Sequence, residues 1–125
     1  NSVALCTASV EIDSGNTVTM RECVNASDRS GYISAIVTDR APVITADPES
    51  VLVATQDRDA LWLTSSAQAF SMQIGATGNS ITIAAPKAQL ENKQQGDRSG
   101  IASDDLTWLC TAGSSADTEL TITFD

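Results

Sequence analysis

Apolar and polar residues alternate with a period of two along most of the chain, and β-branched residues crowd the alternating runs. That pattern predicts strands rather than helices. Residues 3–10 and 17–23 read as the first two strands, and the turn-rich stretch Glu11-Ile12-Asp13-Ser14-Gly15-Asn16 predicts that they form a hairpin. In the second run Val18 and Met20 take one face, while Thr17, Thr19 and Arg21 take the other. Residues 31–38 predict a third strand with a richly apolar face. Residues 39–48, punctuated by Pro42 and Pro48, read as a long exposed loop, and 48–54 as a return to strand. Leu61-Trp62-Leu63 is a short apolar run that suits an edge strand or a bulge.

A second hairpin follows. Phe70, Met72 and Ile74 share one face of 69–74, residues 75–79 supply a Gly-rich turn, and Ile81 and Ile83 point inward from 80–84. Residues 86–104 contain Gln94-Gln95-Gly96-Asp97 and Ser99-Gly100 and read as the least structured segment, with room for a helical turn at 88–92. Alternation returns at 106–110 and 120–124, joined by a loop at 111–117. There Leu120, Ile122 and Phe124 are expected to face the core, with Thr121 and Thr123 outward. About eight short strands without a convincing helix predict an all-β antiparallel sandwich or strongly curved sheet, in a single domain of residues 1–125.

Charge and composition narrow the chemistry. The chain has 125 residues, 7 Lys+Arg against 16 Asp+Glu, a formal charge of −9 and no histidine. A His-based triad or His-containing metal site is excluded, and broad electrostatic binding of nucleic acid or an anionic membrane is disfavoured. Aromatics are only 4%, so Val, Ile, Leu and Ala carry the packing. No run of 18 apolar residues is present. The serines lack both a GxSxG elbow and a histidine base, and Gly75-Ala76-Thr77-Gly78 reads as a hairpin turn rather than a phosphate loop. Neither an enzyme activity nor a cofactor is expected.

The three cysteines, Cys6, Cys23 and Cys110, fit no zinc or CxxC spacing. One disulfide and one buried thiol is the plain reading. A Cys6–Cys23 bridge would close the first predicted hairpin, with stabilisation on the order of 3 kcal/mol. A bridge to Cys110 would instead tie the ends of the domain together, and the sequence does not choose between them. The reading carried forward pairs Cys6 with Cys23 and leaves Cys110 free or as the alternative partner. Among the acids, Asp57-Arg58-Asp59 and Asp104-Asp105 have oxygens suited to Ca²⁺, but they match no EF-hand spacing and read more simply as solvated loop charge.

The order of motifs carries a resemblance. Asn1-Ser2-Val3-Ala4-Leu5-Cys6, then Cys23, Ser30-Gly31-Tyr32 to Thr38-Asp39 and Glu49-Ser50-Val51-Leu52, together with Leu106-Thr107-Trp108-Leu109-Cys110 and the closing residues 120–124, resembles the head of the GspH/FimT family of pseudopilins and minor type IV pilins. The resemblance implies a β head whose N-terminal filament helix is missing from this chain. It implies a membrane-anchored structural subunit, placed at the Gram-negative inner membrane with a periplasmic head or on a surface pilus after assembly. Its partners would be other pilin or pseudopilin subunits, met through the loops at 39–48 and 86–104, and the inner membrane through the missing helix. Some FimT-like relatives bind DNA through basic residues near the C-terminus, but no Lys or Arg follows Arg98 here, so no nucleic-acid binding is expected. The alternative is a secreted adhesive or ligand-binding β-domain presenting Tyr32, Trp62 or Trp108.

Overall fold

The computed structural model describes residues 6–27, 30–76 and 78–125. The architecture is all-β and antiparallel, with eight strands in two sheets and one short helix among the described residues. The strands are β1 (Thr7–Asp13), β2 (Thr17–Glu22), β3 (Tyr32–Asp39), β4 (Val43–Pro48), β5 (Ala67–Ala76), β6 (Asn79–Arg98), β7 (Ile101–Thr111) and β8 (Thr121–Phe124), with α1 at Arg58–Thr64. The larger sheet runs β1-β4-β7-β6-β5, and β8 pairs with the opening residues of β6 on the side away from β5. The smaller sheet is β2 with β3 alone. Residues 1–5, on which the start of the first expected strand falls, lie outside the described residues.

The hairpin expected from residues 3–23 is not formed. β1 pairs with β4 and β2 pairs with β3, because the turn-like residues 14–16 carry the chain from one sheet into the other. Gly15 permits that crossing: it sits at φ +57°, and a Cβ there would lie 2.2 Å from the Ala41 carbonyl oxygen. The β5–β6 hairpin is present in the expected register, with Ile74 opposite Ile81 and Met72 opposite Ile83.

Residues 39–48 are not an exposed loop. Val43-Ile44-Thr45-Ala46 forms a central strand whose inward positions are Ile44, fully buried, and Ala46. The two prolines misled because they bracket the strand. Pro42 lends its carbonyl to the Cys110 N–H at 2.8 Å, and Pro48 closes β4 as a buried residue. Conversely, 51–54 is no strand. Beyond Pro48 the chain makes a single bridge from Glu49 to Ser103 and then turns, leaving Leu52 and Val53 exposed.

Residues 86–104 are the longest hairpin of the molecule rather than a loop. β6 and β7 pair from Lys87–Thr111 down to Arg98–Ile101, closed by Ser99 at φ 55° and Gly100 at φ 88°. Two successive positive φ values are those of a type I′ turn, whose twist matches the flanking strands. Asp97 Oδ1 accepts the Gly100 N–H at 3.0 Å. Pro86 is tolerated inside β6 because β8 pairing ends at Ala84, β7 pairing begins at Lys87, and the β5 register shifts at the same place.

The core is thin. Ile44, Ala85, Ala88 and Cys110 form its buried centre, with Val10, Ile12, Phe70, Trp108 and Leu120 packed around it. Phe70 and Trp108 meet with ring centroids 5.5 Å apart and a tilt of 49°, a favourable aromatic geometry. The apolar run Leu61-Trp62-Leu63 lies in α1, not in an edge strand. Asp57 is the N-cap, accepting the Ala60 N–H at 2.8 Å, and Ser65 closes the helix in the left-handed conformation.

Candidate assembly surface

Three polar nodes fix the elements that carry the exposed surfaces. Arg58 and Asp104, both buried, form an ion pair joining α1 to β7, and Arg58 also donates to the Glu49 carbonyl at 3.2 Å. Asp47 sits opposite a bulge in β1, where its Oδ1 accepts the N–H groups of Ala8 (3.0 Å) and Ser9 (2.7 Å) and the Thr7 hydroxyl (2.9 Å). The Ser9 N–H, with the other donors and the nearby Arg98 guanidinium, holds the Asp47 carboxyl down at about 2 from 3.8. Arg98 also reaches Glu49 at 3.0 Å, tying β6 to the end of β4.

The acidic motifs that suggested Ca²⁺ are committed elsewhere. Asp57 caps α1, Asp59 pairs with Lys93 at 2.6 Å, and Asp104 is paired with Arg58. Their reading as solvated loop charge fails for Asp104, which is 5% exposed on β7. Among the described residues no three metal-ligating side chains gather. The cysteines stay apart as free thiols: Cys6 exposed ahead of β1, Cys23 half-buried after β2, Cys110 buried in the core. The hairpin on which the Cys6–Cys23 expectation rested is absent, since β1 pairs with β4 and β2 with β3. Burial pushes the Cys110 thiol up.

An open cavity of about 420 Å³ lies against the larger sheet, between β1, β5 and α1, lined by Val10, Leu61, Phe70, Met72, Leu90 and Trp108 among others. Its lining holds neither a carboxylate nor a thiol, and its one cation, Arg58, is already paired with Asp104. Tyr32 and Trp62 are exposed on separate elements, and the Trp62 indole N–H donates to the Glu91 carbonyl at 2.9 Å. Trp108 is drawn into the core against Phe70. These aromatics therefore do not converge on one binding platform.

The feature that stands out is surface. β2 and β3 pack on each other and substantially on nothing else, and every residue of both strands is exposed. The pair projects as an arm from a root where the Ala41 N–H donates to the Gly15 carbonyl at 3.4 Å. A compact monomer of 13.0 kDa exposes roughly 6,300 Å², whereas this chain exposes 8464 Å². The excess, roughly 2,100 Å², exceeds two standard half-interfaces of ~800 Å² each.

Sequence reasoning found the apolar faces of the arm and of β5 but not their exposure, and it turned Ile122 and Phe124 toward the core, where the structure leaves them exposed. The signal that could have separated them is the shortage of apolar partners: a thin core of small residues cannot cover that many apolar faces.

No family model matches the chain, and no curated protein matches it. Among solved structures, the chain is similar to a subunit in the tail of an empty gene transfer agent (GTA) particle of C6 helical symmetry. The TM-score is 0.62 at 14% identity, over 97% of this chain and 83% of that one. This likeness corrects the minor-pilin and pseudopilin expectation: the match over nearly the whole chain is to a subunit of a GTA tail and not to a pilin head. The fold shared is an all-β one.

Proposed function

We propose that this chain is a structural subunit of a phage-like tail, one that assembles by repeated contact with copies of itself. The observation that carries this reading is the fold likeness to the GTA tail subunit over nearly the whole chain. The physical features agree with it. The free-standing arm and the large surface excess suit a subunit that completes its packing against neighbours. The fixed negative charge and the absence of histidine suit a scaffold whose contacts stay constant between about pH 5 and 8.

Negative-stain electron microscopy of the purified chain, concentrated stepwise, tests the reading. Rings or stacked tubes with six-fold symmetry are expected. A population that shows only monomers, or only closed dimers, at every concentration counts against it.

A further inference from the structure

Among the described residues, two sheet faces are apolar and uncovered. The first is one face of the arm. Cross-strand register places Val18 opposite Val37 and Met20 opposite Ala35, and Val18, Met20 and Val37 are 61%, 53% and 50% exposed. The opposite face carries Thr19, Arg21, Ser34 and Ile36 and is mostly polar.

The second surface is the free end of the β5–β6–β8 sheet. Ile74, Ile81 and Phe124 form one cross-strand row, and Met72, Ile83 and Ile122 the next. Ile83 is buried and continuous with the core, but Ile74, Ile122 and Phe124 are 54%, 50% and 74% exposed. No charged residue occurs in β5, in β8, or in β6 before Lys87, although the chain carries a charge of −9. Asp125, which extends β8 and exchanges backbone hydrogen bonds with Ser80, borders the row, and an apolar centre with charge at its rim is the composition of an interface.

The arm leaves the chain between β1 and β4, at one margin of the larger sheet, and β5 forms the other margin. The arm's root lies toward the same end of the sheet as β8, where the Pro42 carbonyl accepts the Cys110 N–H and Arg40 pairs with Asp117, yet the row stays exposed, so the subunit's own arm does not cover it. Two different apolar patches on one molecule that fit each other make heterologous, head-to-tail contacts, which close into rings or run on as filaments.

We infer that the Val18–Met20–Val37 face of one copy's arm docks on the Ile74–Ile81–Phe124 row of a second copy. A two-stranded arm about 10 Å wide covers about two of the three strands of the row, and sheets pack face to face at about 10 Å. The surface excess accommodates both halves of such a junction on every subunit. The junction deepens the tail-subunit reading, on which it rests for the expectation that copies associate.

Complementation between two broken subunits tests it. Met20→Asp damages the arm and leaves the row intact; Ile81→Asp damages the row and leaves the arm intact. Both sites are solvent-exposed, at 53% and 37%, and matching thermal melts establish that the variants fold. Each variant alone should associate at least about 30-fold more weakly than the parent chain in sedimentation. Mixed, they should form a dimer and stop there, since only one sound junction is available. A mixture that stays monomeric, a Met20→Asp chain that still assembles, or a parent chain monomeric up to about 1 mM each overturns the junction. Six-fold rings from the parent without complementation leave the tail reading standing and sink the junction. Complementation without rings does the reverse.

Discussion

Removing the Asp104 carboxylate should destabilise the chain more than any surface change. Arg58 is 4% exposed and Asp104 5%, and their ion pair joins the first turn of α1 to the middle of β7. Asp104→Ala leaves the guanidinium buried with two neutral acceptors, the Glu49 carbonyl at 3.2 Å and Gln56 Oε1 at 3.3 Å. An uncompensated buried charge of this kind costs about 3–5 kcal/mol, a large share of the ~5–15 kcal/mol that holds a domain folded. With a urea slope of about 1.5 kcal/mol per molar, the midpoint should fall by roughly 2–3 M. Tryptophan fluorescence reads the transition, since Trp108 packs on Phe70 and Trp62 lies in the helix that Arg58 anchors. The double change Arg58→Leu/Asp104→Leu removes both charges and should recover most of the loss, because apolar replacement of a buried pair is often neutral. A midpoint shift below about 0.5 M for Asp104→Ala, or a double variant no better than the single, would refute the reasoning.

Two further outcomes follow from the other polar and thiol sites. Asp47 is lowered in the folded state, so its contribution is present above the unfolded value near 4 and is lost as pH falls from about 4 towards 2. After discounting for its partial exposure, Asp47→Asn should cost about 1 kcal/mol at pH 7 and flatten the acid limb of the stability curve; an unchanged limb would show that the bulge does not depend on the charge. With a thiol reagent under native conditions, Cys6 should react promptly and Cys110 only on unfolding, since Cys110 is 3% exposed and its thiolate is disfavoured by burial. Prompt labelling of Cys110→Ser at the same rate and extent as the parent chain is the matching control.

Strand content was legible because period-2 alternation survives wherever one face is buried, as in β7, and also in β5, whose apolar face is left partly open. Pairing was not. Residues 11–16 have hairpin composition, yet they link two sheets, and nothing local records that β1 will choose β4. The β6–β7 hairpin was missed for a related reason. Gln94, Gln95 and Asp97 lie in residues 91–98 of β6, a stretch that has no buried residue and so carries no alternation, although Ser99-Gly100 held the turn signal. Asp57 announced the helix as an N-cap, but its neighbours made it look like a cation ligand. The arm's exposure was the least visible part. Val18, Met20 and Val37 have the pattern of core residues, and only a whole-chain account of the available apolar partners reveals that this core is not their own.

β6 has one more consequence, a mechanical one. Twenty residues run unbroken from Asn79 to Arg98, a span of roughly 65 Å if fully extended. Its first half lies in the uncharged end and its second half in the hairpin tipped by Gly100. Pull or twist applied at one end therefore reaches the other along covalent backbone, clamped at successive points by β5, β8 and β7, rather than through side chains free to slip. The molecule is built around a single strut.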